Sequence, residues 1–210
     1  GSARACCSCG FVDQTAPTSA PRSQLTGPMS DTNHTTFGRG TLAVHAGVEP
    51  DPSTGAIMTP VYLTSTYVQD GVGNHKGYEY SRTHNPTRSA LEKAFAELEH
   101  GAHGFSFASG LAAMDTVLKT LQPGDEVISI NDLYGGSYRW FTTVFAHYGI
   151  TFHFVDVSDL DAVQAAMNEH TGMIWVETPT NPMMQITDIA AMAHLAKGTD
   201  ARVVVDNTFA

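Results

Sequence analysis

The regular alternation of apolar strands with amphipathic helices after residue 85 most constrains what this chain can fold into. Short strand-like segments recur at residues 104–108, 126–130, 151–157, 173–177 and 202–205. Helical patterns separate them at residues 111–121, 137–148, 159–167 and 188–197. Consecutive parallel strands need a crossover connection, which is usually a right-handed helical one. The pattern therefore predicts an α/β fold with a largely parallel sheet.

Two segments of different character precede this alternation. Residues 1–28 are rich in Ser, Thr, Pro, Gly and Gln and carry few large apolar side chains, which predicts a disordered tail. Its Gly1-Ser2 start resembles the remnant of an expression tag, and Met29 resembles a natural start. Residues 29–84 are irregular and dense in Gly, Pro, Thr and Tyr, which predicts an extended arm.

The α/β region begins with a well-marked helix start. Asn85 can cap the helix with its side chain, and Pro86 fits the first helical position. Leu91, Phe95 and Leu98 then follow at spacings of four and three, which places them on one face. We therefore predict that residues 85–210 form the first part of the α/β domain.

Composition excludes several classes of function. The chain has 11 Lys and Arg against 21 Asp and Glu, a formal charge of −10, so it lacks the basic footprint of a nucleic-acid-binding protein. No apolar run approaches the roughly 18–20 residues that span a bilayer, and we expect no membrane partner. All three cysteines, Cys6, Cys7 and Cys9, lie near the start without the four ligands of a zinc site, so we expect neither disulfides nor a metal. These features suggest a reducing, cytoplasmic setting.

Polar clusters follow directly after the predicted strands. They are Ser109-Gly110, residues 131–134, residues 177–181 and residues 206–208. Ligands of open α/β sheets bind outside the carboxyl ends of the strands, where such clusters would meet. The sequence therefore predicts a binding site at that edge of the sheet.

Two of these clusters can bind an anion and a flat ring. Ser109, Gly110 and Leu111 lie where a strand turns into a helix, so the N–H groups of the first helical turn can bind a phosphate, although a small-residue turn that packs helix on sheet looks the same. The chain has neither a Walker loop nor a G-x-G-x-x-G motif, which disfavours the common nucleotide folds. Tyr134, beside two glycines, can stack on a flat ligand or simply pack on its own helix.

The other two clusters supply a hydrogen-bond donor and a carboxylate. Asn181 lies in a turn with two prolines, which either positions its side chain as a donor or only shapes the turn. Asp206 ends a β-branched strand, and a carboxylate buried there requires a cationic partner. The alternatives are that it forms a salt bridge within the protein or caps a helix. In a pyridoxal 5′-phosphate (PLP) site the partner is the protonated ring nitrogen. Phosphate, ring face, ring oxygen and ring nitrogen are the needs of that single cofactor.

Five stretches together resemble the Cys/Met-metabolism family of PLP enzymes, the group of cystathionine γ-lyase, cystathionine γ-synthase and methionine γ-lyase. They are YEYSRTHNPTR at residues 78–88, FASGLAA at 107–113, DLYGGS at 132–137, ETPTNP at 177–182 and VVVDNT at 203–208. The resemblance covers about residues 41–210. It implies the large domain of an aspartate-aminotransferase-like protein of fold type I, with the sheet incomplete and the small C-terminal domain absent from this chain.

The resemblance also implies roles for individual residues. Gly110 and Leu111 would donate backbone N–H groups to the phosphate, with Ser109 beside them. Tyr134 would stack on the cofactor ring and act in catalysis, and Asn181 would contact the ring's 3-oxygen.

Four further roles come from the same resemblance. Asp206 would hold the proton of the pyridinium nitrogen, with Thr208 beside it in the cofactor site. Tyr80 and Arg82, from the arm, would reach the phosphate of a neighbouring subunit's cofactor. Arg139 corresponds to a position near the distal end of the substrate.

The family relationship implies γ-elimination on cystathionine, a sulfur amino acid of transsulfuration, to give cysteine, 2-oxobutanoate and ammonia. The alternatives are cystathionine γ-synthase, which uses an O-acylhomoserine, and then methionine γ-lyase, which typically has a cysteine where this chain has Gly136. It also implies a homotetramer built from two dimers that share their sites. A non-catalytic fragment that acts as an assembly module is the alternative from a different class.

One family feature is missing from these residues. The lysine that binds PLP covalently is expected after Asp206, whereas the lysines present are Lys76, Lys93, Lys119 and Lys197, in a loop or on helices. The second arginine, which binds the substrate carboxylate, is also expected beyond residue 210. We therefore expect that residues 1–210 alone are catalytically inactive.

Overall fold

A computed structural model describes the backbone of residues 2–6 and 10–13 and all of residues 37–210. The nine strands are β1 Ser2–Cys6, β2 Gly10–Asp13, β3 Gln69–Gly71, β4 Asn74–His75, β5 His103–Ser106, β6 Glu126–Ile130, β7 Thr151–Val155, β8 Thr171–Glu177 and β9 Arg202–Asp206 in this described part. Its α-helices are α1 Arg39–His45, α2 Pro86–Leu98, α3 Gly110–Leu118, α4 Gly135–Arg139, α5 Leu160–Ala166 and α6 Ile189–Leu195. Two compact units result: unit 1 is Gly1–Gln14 with His103–Ala210, and unit 2 is Thr15–Ala102.

Unit 1 is built on a seven-stranded sheet in the order β5-β2-β1-β9-β8-β6-β7. Strands β9, β8, β6 and β7 are parallel to their neighbours, and β1 also pairs with β9 in parallel. Only β2, among the described strands of this sheet, runs antiparallel to both neighbours. The prediction of a largely parallel α/β sheet is confirmed.

The first residues of the chain differ from the prediction. Residues 2–6 and 10–13, predicted to belong to a disordered tail, form β1 and β2 and lie between β9 and β5 in the sheet. The physical reason is the open edge of β9, whose backbone N–H and C=O groups on the side away from β8 need partners. The rest of the predicted tail lies outside the described residues.

The core of unit 1 surrounds its central strands. Trp175 and Val176 are neighbours on β8 and are both buried, and because side chains alternate across a strand, both faces of the sheet are covered there. Phe141 stacks on Phe152 with ring centroids 4.6 Å apart and meets Trp175 edge-on at 5.5 Å. Burial on both faces explains why these strands read as continuous apolar runs in the sequence.

The helix predicted over residues 137–148 consists of three different helical types. It begins as α4, continues as a π-helical turn over Trp140–Val144 and ends as a 3₁₀ turn over Phe145–Tyr148. Aromatic and β-branched side chains dominate the π-helical turn, and they lose rotamer freedom in a regular α-helix. Gly149, with a positive φ of 78°, ends this segment.

Unit 2 is less regular, but it is not only an extended arm. It contains α1 and the β3–β4 hairpin within residues predicted as extended, and it also contains α2, so the unit boundary falls after Ala102 rather than at residue 84. Asn85 caps α2 as predicted, since its side chain accepts from the Thr87 and Arg88 N–H groups. Gly47 has a φ of 68°, and a Cβ there would lie 2.4 Å from the carbonyl oxygen of Ala90 in α2. Only glycine at position 47 therefore allows this close contact with α2.

Within residues 2–6, 10–13 and 37–210, no helix combines the length and the apolar character needed to cross a bilayer.

Candidate functional site

A pocket of about 420 Å³ opens at the carboxyl edge of the sheet in unit 1. It is lined by Ser109, Gly110, Leu111, Met114, Tyr134, Glu177, Asn181, Asp206, Thr208 and Phe209. The structure thus brings together residues that follow β5, β6, β8 and β9. Among them, Ser109 and Asp206 are 97 positions apart in the sequence. Parallel strands end at the same edge of the sheet, which is why distant residues meet there.

One end of the pocket suits an anion. Ser109 is the N-cap of α3, and its side-chain oxygen accepts a hydrogen bond from the Ala112 N–H at 3.1 Å. The N–H groups of Gly110 and Leu111 in the first helical turn have no partner within the helix. The positive end of the helix dipole adds to their attraction for negative charge.

Tyr134 supplies an aromatic surface beside this anion site. Its side chain is 47% exposed, so much of the ring is open to the pocket that it lines. Gly136 makes this ring position possible, because a Cβ there would lie 2.2 Å from Cε1 of Tyr134. A side chain at position 136 would force the tyrosine ring to move.

Asp206 presents a buried carboxylate at the end of β9, with only 5% of its surface exposed. Its Oδ1 accepts hydrogen bonds from the backbone N–H and the hydroxyl of Thr208, at 3.2 and 2.5 Å. No Lys, Arg or His among the described side chains forms an ion pair with it. A buried carboxylate that faces a pocket without a protein cation suits a cationic ligand atom.

Glu177, which lies in the predicted polar cluster 177–181 but was given no role of its own there, is the other buried carboxylate of this edge. It ends β8 directly beside Asp206 in the sheet register, and only 3% of its surface is exposed. Burial raises the pKa of Glu177 to about 7, and the nearby Asp206 and Asp132 carboxylates add to the rise. The N–H groups of Tyr134 and Asn181, which donate to it, oppose the rise. Its place at the end of an apolar strand was the one sequence signal that could have identified it.

Asn181 lies in the loop after β8, and a network of hydrogen bonds holds that loop to the loop after β6. The Asn181 N–H donates to Oε1 of Glu177 at 2.8 Å. The Thr180 hydroxyl donates to Oδ2 of Asp132 at 2.5 Å, and the Met183 N–H donates to the same oxygen at 3.2 Å. These contacts place Asn181 on the pocket wall.

Three predicted site residues lie elsewhere. Tyr80 and Arg82 belong to unit 2, where the Arg82 guanidinium carbon lies 5.0 Å from the centroid of the Tyr80 ring. Arg139 is the last residue of α4 and does not line the pocket of unit 1. Besides Glu177, the sequence prediction missed Met114 and Phe209, whose apolar character carried no signal of a site.

The pocket residues fit PLP on the chemistry of their donor set. The N-terminus of α3 suits a phosphate, and the open Tyr134 ring suits a planar heterocycle. The buried Asp206 carboxylate, which has no cationic partner among the described side chains, suits a protonated ring nitrogen. The glycine at 136 leaves the space that this arrangement needs. Fold and site together define the large domain of a PLP-dependent enzyme of fold type I.

Comparison with known proteins agrees with this class. Residues 40–210 match the family of Cys/Met metabolism PLP-dependent enzymes, and the chain belongs to that family. The resemblance seen in the sequence and the expected cofactor are therefore confirmed, since the enzymes of this family are PLP-dependent.

Among curated relatives, a cystathionine β-lyase of Coxiella burnetii is 53% identical over 171 residues, which are 81% of this chain and 44% of the relative. A probable cystathionine γ-synthase of Herpetosiphon aurantiacus is 49% identical, over 83% of this chain and 54% of the relative. The chain spans about half the length of the curated relatives it matches.

Solved structures of similar proteins support the fold. The crystal structure of metB from Corynebacterium glutamicum has a TM-score of 0.82 and 48% identity, over 85% of this chain and 47% of that one. Cystathionine γ-lyase from Lactobacillus plantarum, complexed with L-serine, has a TM-score of 0.79 and 49% identity, over 83% and 45%. Fold type I, predicted from the sequence resemblance, is therefore confirmed.

Proposed function

We propose that this chain is the PLP-binding part of a transsulfuration enzyme that acts on cystathionine at a carbon–sulfur bond. The observation that carries the proposal is the pocket in unit 1, where an anion site, an aromatic ring, an amide and an unpaired buried carboxylate meet within about 420 Å³. The names of the relatives, cystathionine β-lyase and γ-synthase, support cystathionine as the compound that is made or cleaved.

Each group on the pocket wall has a separate task in this proposal. The N-terminus of α3, with Ser109, Gly110 and Leu111, binds the phosphate. Tyr134 lies against the ring, and the Asn181 side chain donates to the ring's 3-oxygen.

Asp206 holds the proton on the ring nitrogen, and Thr208 orients the Asp206 carboxylate through two hydrogen bonds to Oδ1. When bound, PLP supplies an electron sink for the negative charge that develops at the substrate carbons. The burial of Asp206 excludes water from its ion pair, which strengthens the electrostatic hold on that proton.

Within the transsulfuration enzymes we propose γ-elimination, which cleaves cystathionine with water to cysteine, 2-oxobutanoate and ammonia. γ-Replacement, in which the cysteine sulfur bonds to Cγ of an O-acylhomoserine and the acyloxy group leaves as a carboxylate, is the second candidate because several relatives are named γ-synthases. Gly136 disfavours methionine γ-lyase, whose characteristic cysteine at this position would displace the Tyr134 ring.

Product analysis separates these reactions. The longer protein, loaded with PLP, is incubated with cystathionine, and the keto acid and thiol are identified by mass spectrometry. 2-Oxobutanoate with cysteine supports γ-elimination, whereas pyruvate with homocysteine identifies a β-lyase. Cystathionine formed from an O-acylhomoserine and cysteine identifies a γ-synthase. If none of these products forms, the result contradicts the proposal.

The lysine that carries PLP belongs, in this proposal, to a part of the longer protein beyond residue 210. Lys119 and Lys197, the lysines of unit 1, do not line the pocket, and Lys119 pairs with Asp115. We therefore expect residues 1–210 alone to bind PLP reversibly without turnover. Cleavage of cystathionine by this chain alone would contradict that expectation, and failure to bind PLP would favour a non-catalytic assembly module.

We also propose that Tyr80 and Arg82 bind the cofactor phosphate of a neighbouring subunit in a homotetramer, and that Arg139 lies near the distal end of the substrate. The test mixes two inactive variants of the longer protein, Arg82→Ala and Asp206→Ala, and reassembles them. Shared sites predict partial recovery of activity, because some mixed sites carry neither substitution. Absence of recovery would contradict the shared site.

A further inference from the structure

Two loops carry the proposed ring-binding groups of the pocket. Asp132 joins them through Thr180 and Met183, and a second carboxylate, Glu177, accepts hydrogen bonds from the backbone of both. The loop after β6 carries Tyr134, and the loop after β8 carries Asn181. Glu177 accepts the Tyr134 backbone N–H on Oε2 at 2.9 Å and the Asn181 backbone N–H on Oε1 at 2.8 Å. Each oxygen thus serves one loop, across 43 residues of sequence in the first case and four in the second.

We infer that Glu177 is a positioning residue that holds Tyr134 and Asn181 at the spacing which a cofactor ring requires. The inference rests on the proposed function, since it names the ring as the object between these two residues. A carboxylate suits this task because both its oxygens are acceptors, so it can hold two N–H groups at once. No other side chain among the described residues accepts a hydrogen bond from both loops at these two positions.

The burial of this carboxylate argues for a role beyond packing. An ionised carboxyl group with 3% exposure is costly, and its neighbours Asp206 and Asp132 are also acidic. An apolar residue at this strand end would avoid the cost but would leave two backbone N–H groups without acceptors. The negative charge also favours a cationic ring nitrogen beside Asp206, so one residue both positions the loops and supports the ligand's charge.

The decisive variant is Glu177→Gln, which keeps the shape of the side chain but replaces one acceptor oxygen by an NH₂ group. One of the two N–H groups then faces a donor and loses its acceptor, while the Asp132 contacts with Thr180 and Met183 still hold the two loops together. Glu126→Gln is the matched control, because Glu126 also accepts two hydrogen bonds, from His153 and Asn168, at the opposite end of the β6 strand. Glu177→Asp retains the charge but shortens the reach, so it serves as the conservative variant.

Hydrogen exchange in the cofactor-free full chain is the first readout. We expect Glu177→Gln to speed exchange at the Tyr134 or Asn181 amide roughly tenfold or more, with exchange in the β8 core unchanged. Glu126→Gln should leave both amides unchanged. Unchanged exchange at both amides in Glu177→Gln would overturn the inference, whereas faster exchange throughout β8 would show a general structural role and also overturn it.

Binding of added PLP to the same proteins, measured by absorbance titration, is the second readout. We expect Glu177→Gln to weaken binding roughly tenfold, Glu177→Asp to weaken it less, and Glu126→Gln to leave it unchanged. Equal affinity in Glu177→Gln and the unmodified chain would overturn the positioning role. Failure of the unmodified chain to bind PLP would instead contradict the proposed function, and the exchange data would still decide whether Glu177 holds the two loops.

Discussion

Glu126 and Glu177 lie at opposite ends of neighbouring strands, and each accepts two hydrogen bonds, yet the pKa values of the two carboxyl groups shift in opposite directions. The pKa of Glu126 is lowered by hydrogen bonds from Asn168 and His153, and its side chain is 20% exposed. The pKa of Glu177 is raised to about 7 because burial and two acidic neighbours outweigh its two hydrogen bonds. The comparison teaches that the negative charge at the carboxyl edge of this sheet is uncompensated. At the amino edge, hydrogen bonds from Asn168 and His153 compensate the charge of Glu126.

The largest effect is expected from Asp206→Ala at the carboxyl edge. Loss of the carboxylate removes the proposed partner of the ring nitrogen, and we expect turnover of the longer protein to fall about 100- to 1000-fold, with PLP lost on dialysis. Turnover and retained PLP are measured on the same preparation.

Asp156→Ala is the matched control for that substitution. Asp156 follows β7 and accepts the N–H and hydroxyl of Ser158, just as Asp206 accepts those of Thr208, but it is exposed. Equal losses in the two variants would contradict a special role for Asp206.

A smaller effect is expected from Gly136→Ala. The added Cβ would meet the Tyr134 ring, so we expect the ring to move and PLP affinity to fall roughly tenfold. Gly135→Ala is the control, since the nearest atom to a Cβ there is Nη1 of Arg139 at 3.8 Å. Absorbance titration with PLP checks both variants, and identical affinities would show that the ring position does not limit binding.

The next effect concerns stability and pH at Glu177. A carboxyl group whose pKa is higher in the folded state than in the unfolded state binds more protons when folded. The free energy of unfolding therefore falls as the pH rises from the unfolded-state pKa to the folded-state pKa. For Glu177 that window runs from about 4.5 to about 7. We expect Glu177→Gln to remove this loss, which is on the order of 3 kcal/mol. Denaturant unfolding of the cofactor-free chain across this range measures it, and parallel curves for variant and unmodified chain would contradict the assignment.

The smallest effect, with the opposite sign, is expected from Glu126→Gln. Because the pKa of Glu126 is lowered in the folded state, its contribution to stability is present above about pH 4.5 and is lost as the pH falls below that value. The variant should therefore lose less stability on acidification than the unmodified chain does. The same unfolding series, extended to lower pH, measures the difference, and an effect that appears near pH 7 would contradict the comparison.

Local signals in the sequence predicted much of the fold, and several residues singled out there line the pocket of unit 1. The strand β6 has the predicted bounds and Asn85 caps α2 as predicted, because capping and strand patterning depend on residues close in sequence. The strand order and the pairing of β1 with β9 had no such signal, because they depend on which edge of a sheet is open. The uneven helix after Tyr134 was also missed, since regular periodicity hides a change of helical type.

The sequence by itself determined the α/β alternation, the polar residues at the strand ends and the family to which the chain belongs. Only the tertiary structure decided that Glu177 accepts an N–H group 43 residues away and that Gly136 makes room for the Tyr134 ring. The physical reason is that a residue's neighbours in sequence set its backbone conformation, whereas burial, charge and the acceptors within reach depend on segments that meet only when the chain folds.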